Sequence, residues 1–204
     1  MRKIGILGGT FNPIHNGHIH IGKEALKALA LDEVIFVPTG RPRHKLNDAA
    51  LLNGNLRYRM VSLAIQGHNN FDLSDYEINK EGFSFTYETL KYFNEIYKDS
   101  QLYFISGADC LINIYKWKNV ADIFKRATLV VFNRPGFSKD DIIAQKKKVE
   151  EEFNTKIIFL DIKPLEISST DIRKAIKDHD EIQDIIPMSV MKFIKENNLY
   201  ESQE

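Results

Sequence analysis

The fold of this chain is decided by the stretch Gly8-Gly9-Thr10-Phe11-Asn12-Pro13-Ile14-His15-Asn16-Gly17-His18, called here the glycine turn. The apolar run Ile4–Leu7 before it is typical of a β-strand, and residues 19–26 after it have the pattern of a helix. Glycines let the backbone approach a phosphate, and the first N–H groups of a helix point toward negative charge. The stretch therefore predicts a phosphate-binding turn. The residues expected to contact phosphate there are Gly8, Gly9, Thr10 and Phe11.

Two histidines extend this prediction. His15 and His18 are three residues apart on the first predicted helical turn, so their imidazoles share a face with Gly17 between them. This spacing predicts two donors to a phosphate. One alternative is a helix start that is rich in histidine by chance, since His20 lies close by. A zinc site is disfavoured, because His18 and His20 would point about 200° apart on a helix and no cysteine lies nearby.

Composition limits the classes of protein to which the chain can belong. Its 204 residues are 43% hydrophobic, which fits a single domain over residues 1–204. The 28 basic and 28 acidic residues give a formal net charge of zero, which argues against a nucleic-acid partner. We find no signal-peptide core and no run near the roughly 18 apolar residues of a membrane span. From the lack of such a run we expect no membrane partner. Cys110 is the single cysteine, which suits a reducing compartment, and we therefore expect a cytoplasmic protein.

Apolar strands alternate with helical patterns along the chain. The predicted strands are Lys3–Leu7, Glu33–Pro38, Leu102–Ser106, Thr128–Asn133 and Lys156–Leu160. The predicted helices are Gly17–Ala30, Asn55–Gln66, Thr86–Tyr97, Val120–Arg126, Lys139–Phe153, Ser169–Lys177 and Pro187–Asn197. The alternation predicts an α/β fold, with a Rossmann-like, doubly wound and mostly parallel sheet. Residues 168–204 are expected to form a small C-terminal helical lobe of the same domain.

Ligands of such sheets bind beyond the carboxyl ends of the strands. Four segments would meet there: the glycine turn, residues 39–45, Gly107-Ala108-Asp109 and Arg134-Pro135-Gly136. This convergence follows from the strand predictions alone, because each segment directly follows a predicted strand.

A second phosphate motif opens the last helical part of the chain, at Ile167-Ser168-Ser169-Thr170-Asp171-Ile172-Arg173. Hydroxyl side chains are ordinary N-caps, and capping alone would explain Ser168 or Ser169. Arg173 favours a further role, because it lies one helical turn from Ser169 and Thr170 on the same face. A helix N-terminus, hydroxyl groups and a guanidinium together suit pyrophosphate. The predicted phosphate ligands are Ser168, Ser169, Thr170 and Arg173.

A cationic loop follows the second predicted strand, at Pro38-Thr39-Gly40-Arg41-Pro42-Arg43-His44-Lys45. A solvated loop without a ligand is the simple alternative, since proline and glycine are typical of exposed loops. Its position opposite the glycine turn favours contact with a phosphate.

Together these segments resemble the nucleotidyltransferase superfamily that carries a (T/H)xGH motif, here His15-Asn16-Gly17-His18. Neither the GxxxxGK(S/T) pattern nor the GxGxxG fingerprint is present. Within the superfamily, the chain resembles the bacterial nicotinate mononucleotide adenylyltransferases. Residues 167–173 are similar to their ISSTxIR signature, and the cationic loop is similar to their PxxxPPHK loop, with Arg43 in place of the second proline. The resemblance runs from Lys3 to Tyr200.

The resemblance implies further site residues. In the family the lysine at Lys45 orients the triphosphate, and Arg43 and His44 fall in the part of the loop that faces the acceptor. Trp117 would stack on the pyridine ring, and Thr86 would meet its carboxylate. The residues assigned to the ATP side are Gly107, Asp109 and Arg134. A core tryptophan, a capping aspartate and a plain turn are the simpler readings of Trp117, Asp109 and Arg134.

The implied function is adenylyl transfer from ATP to nicotinate mononucleotide, with release of pyrophosphate in NAD biosynthesis. The nucleophile would be a phosphate oxygen that is already ionised at neutral pH, so no general base is required. Mg²⁺ would accompany ATP as the cofactor, without a resident metal site. The residues expected to act in catalysis are His15, His18, Lys45 and Arg173.

Several alternatives stay open on the sequence. The acceptor could be nicotinamide mononucleotide or phosphopantetheine, and a glycerol-phosphate cytidylyltransferase shares the fold. A non-catalytic nucleotide sensor is the alternative from another class of protein. We expect small-molecule substrates as the partners, and the sequence is compatible with a homo-oligomer.

Overall fold

A parallel β-sheet forms the centre of the molecule. The computed structural model describes residues 1–42, 48–133, 138–162, 165, 167–180, 182 and 184–201. In this part of the chain the sheet has six strands in the order β3-β2-β1-β4-β5-β6, and the pairings are parallel. The strands are β1 (Arg2–Gly9), β2 (Glu33–Pro38), β3 (Phe71–Leu73), β4 (Ser100–Gly107), β5 (Thr128–Phe132) and β6 (Ile157–Leu160). The predicted α/β class is confirmed.

Helices connect these strands and cover both faces of the sheet. They are α1 (Asn16–Leu29), α2 (Gly54–Ile65), α3 (Tyr76–Asn79), α4 (Thr86–Ile96), α5 (Ala108–Ile112), α6 (Val120–Arg126), α7 (Lys139–Phe153), α8 (Ser169–Lys177) and α9 (Met188–Glu196), with a 3₁₀ turn at Ile114–Lys116. Each predicted strand and helix is present, with small differences at its ends. The sequence reading missed β3, α3 and α5, which are too short to show a periodic pattern.

The apolar core lies on both faces of the sheet, because successive side chains of a strand point to opposite sides. In β2, Val34 and Phe36 belong to one buried cluster, and Ile35 and Val37 belong to the other. The first cluster, called here core A, holds residues of α1, α2, α8 and α9. The second cluster, core B, holds residues of α4, α5, α6 and α7. The C-terminal helices therefore share their core with the helix that follows the glycine turn.

The strand register brings the predicted ligand-binding loops to one edge of the sheet. Gly9 at the end of β1 is paired with Pro38 at the end of β2. Gly107 at the end of β4 is paired with Phe132 at the end of β5. The carboxyl ends of β1 and β2 are thus neighbours, and so are those of β4 and β5. Residues 43–45 and Arg134-Pro135-Gly136 lie outside the described residues, so the meeting of all four segments stays a prediction. No helix in the described ranges is both long and apolar enough to cross a bilayer.

Candidate active site

The glycine turn is held in shape by a buried phenylalanine. Phe11 is 1% exposed and has a left-handed backbone with φ of 49°. Its ring lies against Gly9, where a Cβ atom would come within 2.7 Å of the ring, so a larger residue would displace it. The ring also packs edge-on against His18, with centroids 5.0 Å apart. The side chain of Phe11 therefore supports the turn from within, and a contact of this residue with ATP stays a prediction.

The two histidines of the motif lie against each other at the start of α1, with their ring planes tilted by 35°. His15 is the N-cap residue and is 6% exposed, whereas His18 is half-buried. Their ring centroids are 3.8 Å apart. The backbone N–H of His15 donates to Nδ1 of His18 at 3.3 Å. In a neutral imidazole whose Nδ1 accepts such a bond, the proton lies on Nε2.

The second phosphate motif lies directly on the glycine turn. Nη1 of Arg173 donates to the carbonyl of Asn12 at 2.8 Å, and the hydroxyl of Ser169 donates to the carbonyl of Pro13 at 2.9 Å. These contacts join residues that are 161 and 156 positions apart in the sequence. The structure thus brings the two motifs together, with the start of α8 facing the start of α1.

Within this second motif, the hydroxyl groups already have partners inside the protein. Ser168 is the N-cap of α8. Its hydroxyl accepts from the N–H of Asp171 at 3.1 Å and donates to the Asp171 carboxylate at 2.5 Å. Nη2 of Arg173 donates to the hydroxyl of Thr170 at 3.4 Å. Capping therefore explains Ser168, and a role in phosphate binding stays a prediction for all of these residues.

The predicted pyridine-binding residues lie at the start of α4 and after the 3₁₀ turn. Thr86 is the first residue of α4, and its N-cap is Phe85, which has no side-chain oxygen to accept from the first N–H groups. Trp117 is half-buried and packs edge-on against Phe104 of β4, with centroids 6.0 Å apart. Nζ of Lys118 lies 4.6 Å from the centroid of the Phe85 ring. The two segments are therefore neighbours, as a shared pocket requires.

Two of the residues that are predicted to bind ATP lie at the start of α5. Gly107 is its N-cap, and Asp109 lies in its first turn. The carbonyl of Asp109 accepts from the backbone N–H and the side chain of Asn113, so this turn is well fixed. Four predicted site residues lie outside the described residues: Arg43, His44, Lys45 and Arg134. Their assignments stay predictions.

Sequence reasoning missed a polar contact that fixes the glycine turn from two sides. The side chain of Asn12 donates to the carbonyl of Ala50 at 2.8 Å, and its oxygen accepts from the N–H of Leu52 at 3.2 Å. The same oxygen accepts from the hydroxyl of Tyr200 at 2.9 Å. Burial raises the pKa of Tyr200 above its ordinary value, so this hydroxyl keeps its proton. Nothing in the sequence near residue 200 signals this contact.

A second missed residue is Arg57 on α2, whose side chain is 1% exposed. Burial lowers the pKa of Arg57 from its ordinary value, although nearby Tyr200 and Glu77 oppose this effect. A signal was present: Arg57 stands at the head of a helical stripe with Met60, Val61 and Ala64. An arginine at such a position of an apolar stripe indicates a buried guanidinium with specific partners.

A protein-built metal centre finds no support in this geometry. Across the described ranges, no three His, Cys, Asp or Glu side chains are grouped closely enough to hold a metal ion. Mg²⁺ commonly binds through substrate phosphates together with one or two carboxylates. That Mg²⁺ arrives with ATP stays a prediction.

Comparison with known proteins gives a consistent result. The model of the family described as "Cytidylyltransferase-like" matches residues 6–175. A protein of Clostridium tetani named "Probable nicotinate-nucleotide adenylyltransferase" is 51% identical over 200 residues, which cover 98% of this chain and 100% of that protein. A Clostridium perfringens protein of the same name is 50% identical, with 98% of each chain covered.

Solved structures extend the comparison to the fold. The structure described as "Plasmodium falciparum nicotinic acid mononucleotide adenylyltransferase complexed with NaAD" superposes with a TM-score of 0.79, covering 98% of each chain at 22% identity. At this level of identity the likeness concerns the arrangement of strands and helices.

Proposed function

The chain belongs to the cytidylyltransferase-like family, within its nicotinate-nucleotide adenylyltransferases, and on this premise we propose that it transfers the adenylyl group of ATP to nicotinate mononucleotide. The products are nicotinate adenine dinucleotide and pyrophosphate, a step in NAD biosynthesis. The observation that carries the proposal is the contact of Arg173 with the carbonyl of Asn12 at 2.8 Å. The guanidinium and the start of α8 contact the glycine turn just before α1, and this combination of donors supports a triphosphate ligand.

The reaction needs alignment and charge neutralisation more than proton transfer. An ionised phosphate oxygen of nicotinate mononucleotide attacks the α-phosphorus of ATP, a new P–O bond forms, and the bond to the β-phosphate oxygen breaks. The electron pair of that bond leaves with pyrophosphate. Because the nucleophile is already an anion, no side chain has to remove a proton.

The residues around this volume have complementary tasks. Nε2 of His18 would donate to the α-phosphate, where charge develops during transfer. Arg173 would neutralise the β- and γ-phosphates, and Lys45 would add a second cation on the leaving group. A well-placed donor of this kind contributes about 3 kcal/mol of transition-state stabilisation. Mg²⁺ would arrive with ATP, and the chemistry that it would supply is neutralisation of charge on the phosphate oxygens.

Selection of the acid form of the acceptor is supported by the start of α4. The first N–H groups of a helix favour a carboxylate over an amide, and Thr86 is the first residue of α4. The ammonium of Lys118 lies beside Phe85, 4.6 Å from the ring centroid, and adds positive charge to the same region. We propose that this region receives the pyridine carboxylate, with Trp117 beside the ring.

The deciding experiment is pyrophosphate release from ATP and Mg²⁺ with nicotinate mononucleotide, nicotinamide mononucleotide and phosphopantetheine as parallel acceptors. We expect release at least tenfold faster with nicotinate mononucleotide. Equal rates with the two mononucleotides would refute the role of the α4 start in acid selection. If the protein binds ATP but releases no pyrophosphate with any of the three acceptors, it is a nucleotide sensor and not an adenylyltransferase.

The proposal also covers the cellular compartment of the reaction and the partners of the protein. We place it in the cytoplasm, since its substrate ATP is available there and a single cysteine, Cys110, suits a reducing compartment. ATP and nicotinate mononucleotide are the proposed partners. A homo-oligomer stays a prediction, which light scattering of the purified protein would decide.

A further inference from the structure

Arg57 links the two halves of the proposed site through main-chain carbonyl groups. Its Nη1 donates to the carbonyl of Thr10 at 2.8 Å, and its Nη2 donates to the carbonyl of Gly40 at 3.0 Å. Its Nε donates to the carbonyl of Leu52 at 2.9 Å. Thr10 belongs to the glycine turn and Gly40 belongs to the cationic loop. One planar group therefore contacts the segment expected to bind ATP and the segment expected to bind the acceptor.

The carbonyl of Gly40 is itself held in a fixed position. A Cβ atom at residue 40 would lie 1.7 Å from the carbonyl oxygen of Glu77, so only glycine fits against α3. The N–H of Gly40 donates to the hydroxyl of Ser84 at 3.1 Å, and Ser84 precedes α4. The peptide of Gly40 thus lies between Arg57 on one side and the α3–α4 segment on the other. A change at the guanidinium would be passed directly to the start of the cationic loop.

The packing of α2 does not by itself require a charge at this position. Arg57 shares the buried stripe of α2 with Met60, Val61 and Ala64, which are all apolar. Desolvation of a guanidinium is unfavourable, and it lowers the pKa of Arg57. The fork-shaped set of contacts gives the reason for the arginine, since three donors in one plane fix three backbone segments.

We propose that Arg57 is a positioning residue that sets the distance between the glycine turn at Thr10 and the start of the cationic loop at Gly40. This inference rests on the proposed function, because its effect is to align the acceptor phosphate with the α-phosphorus of ATP. Transfer of a phosphoryl-type group depends steeply on this alignment, whereas the binding of each substrate depends on its own half of the site. Loss of the fork lowers kcat and leaves each KM nearly unchanged.

The test compares Arg57→Lys with Arg57→Gln, and uses Arg59→Lys as the matched control. Arg59 is exposed and lies two residues further along the same helix. Steady-state pyrophosphate release gives kcat and both KM values, and far-UV circular dichroism gives the folded fraction to which kcat is normalised. We expect kcat at least tenfold lower in both Arg57 variants, KM values within about threefold of the parent, and no change for Arg59→Lys.

Two outcomes of these assays would overturn the proposal. In the first, Arg57→Lys has a normal kcat and Arg57→Gln has a low one. The positive charge at this position would then be sufficient for turnover, and the three hydrogen bonds of the guanidinium would not be required. A large rise in one KM with an unchanged kcat would mean that Arg57 serves a single substrate. If the parent uses another acceptor, the variants are compared with that acceptor, so the identity of the substrate and the role of Arg57 are tested separately.

A measurement on the unaltered protein removes any dependence on how the variants fold. The Nε–H resonance of Arg57 is followed by ¹⁵N NMR while a non-hydrolysable ATP analogue or nicotinate mononucleotide is added alone. A group in contact with both halves of the site should shift with either ligand. A resonance that responds to neither ligand, or to only one of them, would overturn the proposal.

Discussion

The immediate neighbours of His18 orient this side chain, for which we propose a catalytic role. Its Nδ1 accepts from the backbone of His15, and its ring is supported by Phe11. Both contacts orient Nε2 without any help from a ligand. This explains why the motif combines two histidines with a glycine, since a Cβ atom at Gly17 would come within 2.9 Å of the His15 ring.

We expect His18→Ala to lower turnover about a hundredfold or more, because a donor to the transferring phosphate is lost. The fold should persist, since the side chain is only half-buried. Pyrophosphate release measures turnover, and circular dichroism checks the fold. His20→Ala on the same helix is the matched control and should retain most of its activity. Near-normal turnover of His18→Ala would contradict the assignment.

Arg173 provides a second test at the scale of one residue. Arg173→Ala removes the donors to Asn12 and Thr170 and the proposed cation for the leaving pyrophosphate. We expect kcat to fall at least tenfold and the KM for ATP to rise, while the KM for the acceptor changes little. The control is Lys174→Ala, which alters an exposed residue next in the chain. A rise in the KM for the acceptor alone would mean that Arg173 binds the acceptor and not ATP, which would contradict the prediction.

At the scale of secondary structure elements, a buried carboxyl group joins α3 to α4. Oε1 of Glu77 accepts from the hydroxyl of Thr89 at 2.6 Å. Burial raises the pKa of Glu77 above its ordinary value of 4.5, although hydrogen bonds from Thr89, Ser84 and Gly40 oppose the shift. The folded protein therefore holds this proton more tightly than the unfolded chain does. Stability from this group is complete below pH 4.5 and declines as the pH rises toward the folded-state pKa.

The prediction that follows concerns Glu77→Gln. Its free energy of unfolding, relative to that of the parent, should increase as the pH is raised from 4.5 to 7, because the glutamine does not ionise. Urea unfolding at a series of pH values measures this difference. Glu81→Gln, at an exposed position, should show no such trend. A difference that is independent of pH would mean that Glu77 has an ordinary pKa in the folded state.

Most elements could be predicted from the sequence because their signals are local. β1, β2, β4 and β5 are apolar runs followed by turn residues, and the alternation with long helices fixes a parallel sheet. The contacts between the glycine turn and the second phosphate motif join residues 161 and 156 positions apart, so no local signal could predict them. The contacts of Arg57, Asn12 and Tyr200 could not be predicted, since a buried polar side chain finds its partners only when distant segments fold together.

At the scale of the whole molecule, the C-terminal helices and the N-terminal half share one core. Ile172, Val190 and Ile194 belong to the same buried cluster as Leu7 and Phe36. Neither part can bury its apolar surface without the other. We therefore propose that residues 1–204 form a single domain, as expected from the length of the chain.

A single cooperative unfolding transition is the expected outcome in differential scanning calorimetry, with a calorimetric enthalpy equal to the van't Hoff enthalpy. An ATP analogue should raise the transition temperature without splitting the transition, because a ligand stabilises the unit to which it binds. Two transitions, with only one of them sensitive to the analogue, would show that residues 168–204 unfold separately.

The contact between Asn12 and Arg173 also has a consequence during synthesis of the chain on the ribosome. A ribosome makes the glycine turn early, and the guanidinium that meets it is added 161 residues later. Chains that are still being translated, or that stop short of Arg173, carry the first half of the site alone. On the proposed role of Arg173, the site is complete only after this residue has been added, and we expect chains that stop before it to be inactive.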